Sequence, residues 1–262
     1  MIKSISGIRG TIGGAPGENL TPADIIKFTA AYASWVKEKK KGKKIIIGRD
    51  ARISGEMVSN LVSNTLIASG LDVTDVQLST TPTVELAVQQ EKAAGGIIIT
   101  ASHNPKEWNA LKLLNHLGEF ISAEDGAAIL EKASEDDFSF VGVDKLGEYA
   151  VDKTYLQKHI DAIINYPLIE VDSISQKKYK IVVDAINSTG AIFVPALLKA
   201  LGVEEVIVVN EEVNGKFAHN PEPLPENLSA LSATVLKTKA DFGIAVDPDV
   251  DRLCFVCEDG SV

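Results

Sequence analysis

Residues 96–105, with the sequence GIIITASHNP, pass from an apolar run directly into polar side chains. Such a short apolar run, ended by turn-forming residues, predicts a buried strand followed by a loop. The loop presents a hydroxyl, an imidazole and an amide at Ser102, His103 and Asn104. Because ligands of open α/β sheets bind outside the carboxyl ends of the strands, this loop is a candidate site, although Ser, Asn and Pro are also common in ordinary turns.

A second segment has the same form much later in the chain. Residues 243–252, GIAVDPDVDR, place Asp247, Asp249 and Asp251 directly after an apolar run. Alternate residues of an extended segment share a face, so these carboxylates can converge on one hard cation such as Mg²⁺. A Ca²⁺ loop of the EF-hand type is an alternative, but Arg252 stands where that loop needs glycine and the flanks have strand patterns. A solvated acidic turn is the other alternative. The two loops together favour phosphoryl chemistry.

Strand and helix patterns alternate around these loops. The sequence predicts helices over 22–41, 54–69, 82–94, 122–134, 153–164, 190–201 and 226–239, and strands over 44–48, 73–78, 96–100, 179–184, 206–209, 242–246 and 253–257. This alternation is typical of an α/β fold with a largely parallel sheet. A length of 262 residues suits two domains, and we place the boundary in an acidic, weakly periodic stretch, near residues 145–152.

Composition narrows the class of protein. A net charge of −10 with 45% hydrophobic residues is ordinary for a globular protein and disfavours nucleic-acid and anionic membrane partners. The basic run at 37–44 indicates a helix end, with a nucleic-acid patch as the alternative. With no apolar span or signal-peptide pattern, we expect a cytoplasmic protein.

Cys254 and Cys257 are expected to be ordinary buried cysteines on opposite faces of a strand. The turn-like residues 258–260 close to the end suggest a part of a longer protein.

Two cationic residues complete the candidate site. Arg9 lies between glycines, which allow a guanidinium to approach a phosphate closely. Lys112 follows Ser102 by ten residues and is a candidate for the same site, although a surface lysine is the plainer interpretation. There is no G-x-S-x-G elbow around Ser102 and no phosphate-binding P-loop sequence, which disfavours acyl transfer and P-loop nucleotide binding.

Taken together, the motifs resemble the phosphohexomutase family, the group of phosphoglucomutase, phosphomannomutase and phosphoglucosamine mutase. The resemblance covers nearly the whole chain and rests on the segments 6–10, 48–55, 100–105, 109–112 and 247–252. It implies two consecutive α/β/α domains with mixed, largely parallel sheets: domain I over residues 1–150 with a phosphoserine loop, and domain II over residues 151–258 with a metal loop. The resemblance also leads us to expect that the third and fourth domains of the family are absent from this chain. Ala110 and Pro248 stand where many members have glycine, and neither change removes a ligand.

The resemblance also implies a mechanism. Ser102 would carry a phosphoryl group and exchange it with a hexose phosphate through a hexose 1,6-bisphosphate, with glucosamine, glucose or mannose phosphate as substrate. Mg²⁺ would be held by Asp247, Asp249, Asp251 and the modified Ser102. Arg9, Arg252 and Asn104 would bind phosphate, Lys112 would act as acid or base, and His103 would support the loop or the proton transfer. Two alternatives remain: an aspartyl-phosphate phosphatase or mutase with Asp247 as nucleophile, and a non-enzymatic sugar-phosphate-binding module.

Overall fold

The computed structural model describes residues 1–4 and 7–262, with the side chains of residues 3 and 4 excepted. It divides into two compact units. The first comprises Met1–Arg49, Ser54–Ala101 and Glu107–Lys153; the second comprises Asp50–Ile53, Ser102–Lys106 and Thr154–Val262. The chain therefore contributes two short early segments to the second unit. The predicted domain boundary near residues 145–152 stays a prediction.

The first unit is built on a mixed seven-stranded sheet in the order β1-β2-β6-β5-β3-β4-β7. Strands β5, β3, β4 and β7 are adjacent in this order and are parallel to one another. The pairs β1–β2, β2–β6 and β6–β5 are antiparallel. The elements are β1 (Ile2–Ser4), β2 (Gly7–Thr11), α1 (Pro22–Lys39), β3 (Lys44–Arg49), α2 (Gly55–Ala68), β4 (Asp72–Leu78), α3 (Thr81–Gln90), β5 (Gly95–Ile99), β6 (Trp108–Leu114), α4 (Ala123–Ser134), a 3₁₀ turn (Val143–Lys145) and β7 (Tyr149–Val151).

Alternating side chains of the central strands decide which helix covers which face. Ile45 and Ile47 of β3 pack into one core with α1, α2 and α4. The intervening positions face α3, since a Cβ at Gly48 would meet Val84 of that helix. Helix α1 starts where Thr21 and Asp24 form a reciprocal capping box, with Pro22 at the first helical position. Helices thus cover both faces of the sheet.

The second unit has a four-stranded sheet in the order β11-β10-β8-β9, in which only β11 is antiparallel. Its elements are α5 (Tyr155–Ile164), α6 (Val171–Ser175), β8 (Lys180–Asp184), α7 (Gly190–Ala200), β9 (Glu205–Val209), a 3₁₀ turn (Pro225–Asn227), α8 (Ser229–Thr238), β10 (Phe242–Val246) and β11 (Leu253–Cys257). Ile181 and Val183 pack with α7, whereas Val182 packs with α8. Two α/β/α units with mixed sheets confirm the predicted fold class.

Three predictions are wrong in detail. Helix α3 ends at Gln90 rather than near residue 94, because Lys92 adopts a left-handed conformation (φ 48°). The helix predicted from residue 226 begins instead as a 3₁₀ turn, and its α-helical part starts at Ser229. The cysteines are not both buried: Cys254 is half-buried and Cys257 is exposed, because β11 lies at the edge of its sheet.

Three lysines of the basic run, Lys37, Lys39 and Lys44, form contacts within the first unit. Lys39 pairs with Asp125 at 2.8 Å and Lys44 with Glu91 at 2.8 Å, and the Lys37 ammonium donates to the carbonyl of Ser69. The described helices include none with both the length and the apolar composition that crossing a bilayer requires.

Candidate active site

Ser102 lies three residues beyond the end of β5, within the second unit. Its backbone is left-handed, with φ 50°, a region that costs a non-glycine residue roughly 1–2 kcal/mol. Its side chain is nearly buried, and Oγ donates a hydrogen bond of 2.7 Å to Oδ2 of Asp247. The structure therefore brings together the two loops that the sequence singled out, across 145 positions of chain.

The aspartate loop connects β10 to β11, whose antiparallel pairing closes with Val246 opposite Leu253. Asp247 and Asp249 are fully buried, whereas Asp251 is exposed. One carboxylate oxygen from each of the three lies within 4.8 Å of the others. Oδ1 of Asp247 also accepts hydrogen bonds from the backbone N–H groups of Asp251 and Arg252, both at 3.1 Å. The loop is therefore held in a shape that converges its carboxylates.

Crowding of these carboxylates shapes the electrostatics of the loop. Burial, and then repulsion from Asp249 and Asp251, hold the pKa of Asp247 well above its usual range, although the hydrogen bond from Ser102 acts in the opposite direction. A divalent cation among the three would reverse this balance and favour the ionised form. Hard oxygen donors with few protein ligands suit Mg²⁺, and the strands on either side do not match the helical flanks of an EF-hand. The donor set therefore fits a divalent metal ion.

Two of the predicted cationic residues, Arg9 and Lys112, lie in the first unit. Register pairs Arg9 of β2 with Ala110 of β6, and Gly7 with Lys112. Arg9 and Lys112 are therefore diagonal neighbours on one face of the sheet, within reach of each other for long side chains. Gly7, at φ 136°, allows β2 to approach β6, since a Cβ there would lie 2.0 Å from the carbonyl oxygen of Leu111. Ser6 of the same motif falls outside the described residues.

Three further predicted residues, Arg252, His103 and Asn104, belong to the second unit. Arg252 is exposed, and its Nη1 lies 3.2 Å from Oε1 of Glu222. His103 and Asn104 are half-buried, and the carbonyl of Asn104 accepts a hydrogen bond from Arg52. Asn109, in the segment that precedes Lys112, lies in the first unit and donates from Nδ2 to Oγ of Ser54 at 2.9 Å.

Family models match both units. The model for phosphoglucomutase/phosphomannomutase, alpha/beta/alpha domain I, matches residues 2–140, and the model for domain II matches residues 157–260. The chain belongs to the phosphoglucomutase/phosphomannomutase family. A phosphoglucomutase/phosphomannomutase of Thermococcus kodakarensis is 36% identical over 255 residues, which are 96% of this chain and 55% of the relative. A probable phosphoglucosamine mutase of Methanopyrus kandleri is also 36% identical, over 97% of this chain and 53% of the relative.

Solved structures agree with the family assignment. A putative phosphomannomutase from Thermus thermophilus superposes with a TM-score of 0.83 at 27% identity, covering 98% of this chain and 57% of the other. A phosphoglucomutase/phosphomannomutase family protein from Burkholderia thailandensis gives a TM-score of 0.81 at 28% identity, covering 98% and 54%. The chain spans about half the length of the family members it matches.

Sequence reasoning missed several residues that hold the serine loop (residues 102–105) and the aspartate loop (residues 247–252) in place. Arg52 and Asp50 lie in the segment 48–55, for which no function was predicted, and both are buried next to the serine loop. Ser188 and Thr189 both donate to the carbonyl of Pro248, at 2.7 and 2.8 Å. One signal could have found the second pair: the apolar run before Asp184 has the same form as the run before Asp247. That pattern marks a third polar loop after a buried strand.

Proposed function

We propose that this chain forms the phosphoryl-transfer part of a phosphohexomutase, with Ser102 as the group that carries the phosphoryl. The observation that supports this most directly is the 2.7 Å hydrogen bond between Ser102 Oγ and Asp247, beside two further carboxylates. A serine hydroxyl facing a divalent-cation site is the arrangement that phosphoryl transfer needs, because positioning and charge stabilisation dominate that chemistry.

In the proposed reaction, a hydroxyl oxygen of a hexose monophosphate attacks phosphorus and the bond between phosphorus and Ser102 Oγ breaks. Ser102 Oγ would leave as an alkoxide and keep that form until it attacks the second phosphate. Asp247, Asp249 and Asp251 would hold Mg²⁺ together with an oxygen of the phosphoserine. When bound, Mg²⁺ supplies positive charge that offsets the charge on the transferred group. A phosphoserine carries about −1.5 to −2 charges, so the three aspartates alone would repel it.

We assign the remaining predicted residues to proton transfer and phosphate binding. Lys112 would take the proton of the attacking hydroxyl and return it when the second phosphate is transferred back. Arg9 lies on the same face of the first sheet and would bind phosphate, as would Arg252 and Asn104. His103 would support the loop. The hexose 1,6-bisphosphate reorients between the two transfers, and Ser102 regains a phosphoryl group from the other end of the sugar.

The substrate would be a phosphate of glucosamine, glucose or mannose, in keeping with the names of the relatives. The relatives are nearly twice as long, so we propose that the 262-residue chain takes up phosphoryl on Ser102 but turns over hexose phosphate poorly by itself. Robust mutase turnover by the isolated chain would contradict that part of the proposal.

A phosphopeptide map tests the transfer step. The chain is incubated with Mg²⁺ and each candidate hexose 1,6-bisphosphate, beside Ser102→Ala and a control, Ser134→Ala, which removes an exposed hydroxyl of α4. We expect phosphate on the peptide containing Ser102 in the wild type and in the control, and none in Ser102→Ala.

Other outcomes decide against the proposal. A hydroxylamine-sensitive phosphate on the peptide containing Asp247, with Ser102 unlabelled, would favour the aspartyl-phosphate alternative. No phosphate on any side chain, in this chain or in one extended to the length of its relatives, would leave a sugar-phosphate-binding module as the better account.

A further inference from the structure

Arg52 is fully buried and its guanidinium faces the backbone of the serine loop. Nη2 donates to the carbonyl oxygens of Ser102 and Asn104, at 2.5 and 2.6 Å, and Nη1 donates to that of Pro105 at 2.6 Å. Three carbonyls of one four-residue segment therefore share a single planar cation. An arginine suits this arrangement because its five N–H donors are spread over a rigid fork, whereas the three donors of a lysine share one nitrogen.

A buried charge of this kind needs compensation. Nε of Arg52 lies 3.0 Å from Oδ2 of Asp50, and both side chains are wholly inaccessible to solvent. The ring of Phe217 lies 5.1 Å from the guanidinium carbon, a cation–π contact. Burying an ion pair is often no more stabilising than burying apolar side chains of similar volume. Stability alone therefore does not explain why this position carries a charged fork.

The backbone conformation of Ser102 indicates what the guanidinium of Arg52 does. Ser102 holds a left-handed backbone, and such strain persists only where surrounding contacts over-determine it. The carbonyl of Ser102 itself is bound by Nη2, which restrains the peptide plane that follows the strained residue. The guanidinium thus fixes the direction in which the Ser102 side chain leaves the backbone.

The segment that contains Arg52, residues 50–53, is also connected to the aspartate loop, through the hydroxyl of Ser188. The backbone N–H of Ala51 donates to Ser188 Oγ at 3.2 Å, and Ser188 Oγ donates to the carbonyl of Pro248 at 2.7 Å. Residues 50–53 are therefore bound to the serine loop by Arg52 and to the aspartate loop by way of Ser188. Both connections lie within the second unit.

We propose that Arg52 is a positioning residue that sets the distance between Ser102 Oγ and the three carboxylates, with Ser188 linking it to the aspartate loop. This inference rests on the proposed function for its effect on rate. Arg52 binds backbone carbonyls rather than the transferred phosphoryl group, so it acts through the serine loop. Its loss is expected to slow the transfer step while leaving the affinity for the sugar phosphate nearly unchanged.

Arg52→Lys is the test, because lysine keeps the charge beside Asp50, but its three N–H donors are too few for Asp50 and the three carbonyls together. With Mg²⁺ and a hexose 1,6-bisphosphate, we expect the maximal rate of Ser102 phosphorylation to fall by about 10²-fold, the cost of a misplacement of about 1 Å. The bisphosphate concentration at half-maximal rate should stay close to that of the wild type. A purely structural role would instead lower the rate only in proportion to the fraction unfolded, which the thermal unfolding curve measures.

A second readout does not depend on the proposed function. Hydrogen–deuterium exchange of peptides covering residues 100–106 should be several-fold faster in Arg52→Lys than in the wild type, with exchange in α7 unchanged. Equal exchange of this loop in both proteins would overturn the inference, whether or not Ser102 takes up phosphate. A wild type that takes up no phosphate contradicts the proposed function alone.

Ser188→Ala is the second variant, in case Arg52→Lys does not fold. It keeps the guanidinium and removes only the hydroxyl that joins Ala51 to Pro248. We expect slower phosphorylation of Ser102, with exchange of residues 100–106 close to that of the wild type and faster exchange in residues 247–252. Unchanged exchange and rate in this variant would contradict the link to the aspartate loop.

Discussion

The imidazole of His219 lies between two hydrogen-bond acceptors. Its Nε2 is 2.9 Å from Oδ2 of buried Asp184, and its Nδ1 is 2.8 Å from the carbonyl oxygen of Asn220. Only the protonated ring can donate to both. The hydrogen bond with Asp184 accordingly raises the pKa of His219, against the smaller effect of burial.

This geometry predicts how the stability of the second unit depends on pH. A histidine whose pKa is raised on folding stabilises the folded state fully when the pH is below its pKa in the unfolded chain, about 6.5. This stabilisation is lost as the pH rises through its pKa in the folded state. His219→Gln should therefore lower the thermal unfolding temperature most near about pH 5.5, with the difference narrowing toward alkaline pH. Unfolding followed by circular dichroism across that range measures both proteins.

His159 provides a control of opposite sign. Burial lowers its pKa, and its ring packs 4.7 Å from that of Phe193. A base with a lowered folded pKa makes the protein less stable as pH falls, so His159→Phe should gain stability relative to the wild type at acidic pH. A gap between His219→Gln and the wild type that is constant across pH would contradict the assigned ion pair.

At the scale of elements, one hydroxyl joins α1 to the middle of the first sheet. Tyr32 is fully buried, and its Oη lies 2.7 Å from the carbonyl oxygen of Leu114 in β6 and 3.2 Å from that of Gly96 in β5. Burial raises the pKa of Tyr32 far above its usual range, so the hydroxyl remains a donor. Its ring also stacks on Trp35 at 5.7 Å.

Tyr32→Phe keeps the ring and removes only the donor. We expect it to lower the free energy of unfolding by about 1–3 kcal/mol, the cost of leaving a buried polar group unsatisfied. A lower urea midpoint with an unchanged slope would show this effect. Tyr166→Phe is the matched control, since Tyr166 is 57% exposed, and it should leave the midpoint unchanged. Equal midpoints for Tyr32→Phe and the control would contradict the role of the hydroxyl.

The elements also show what a single sequence can and cannot predict. Strands β3, β5, β8 and β10 are short, mostly apolar runs that are largely buried, and all four were predicted close to their observed bounds. β2 and β6 were missed, because their Gly, Arg, Asn and Lys interrupt the apolar pattern and their pairing depends on partners far along the chain. β7 was missed because all three of its residues are exposed.

The candidate site was predictable only where it depends on local sequence pattern. Ser102 and the three aspartates follow buried strands, so local pattern alone placed them in loops after strand ends. Their hydrogen bond across 145 positions, and the contacts of Arg52 with the serine loop, are products of tertiary folding. No local pattern distinguishes an arginine that binds three carbonyls from an arginine on the surface.

At the scale of the whole molecule, the aspartate loop places like charges in a buried position, and their repulsion lowers the stability of the folded chain. Asp247 and Asp249 are buried with Asp251 beside them, and like charges at this separation repel. A cation that binds only the folded site stabilises the fold by mass action, by about 2.7 kcal/mol at about 100 times its dissociation constant. Metal binding should therefore be visible as a change in unfolding temperature.

We expect Mg²⁺ to reverse the order of the unfolding temperatures of the wild type and Asp249→Asn. With EDTA, Asp249→Asn should unfold at a higher temperature than the wild type, because one of the repelling charges is gone. With millimolar Mg²⁺, the wild type should rise well above its EDTA value, whereas Asp249→Asn should barely move because the site has lost a ligand. Asp144→Asn, at an exposed position of the first unit, should respond to Mg²⁺ as the wild type does.

Differential scanning calorimetry of the three proteins, with Mg²⁺, Ca²⁺ or EDTA, measures these shifts directly. A larger stabilisation by Ca²⁺ than by Mg²⁺ would argue for a wider oxygen site than the three carboxylates and Ser102 suggest, since Ca²⁺ takes six to eight ligands at longer distances. If neither ion stabilises the wild type, the carboxylates do not form a cation site, and their burial must be offset by protonation instead. In that case Asp249→Asn would still raise the unfolding temperature, and most strongly at alkaline pH, where protonation no longer relieves the repulsion.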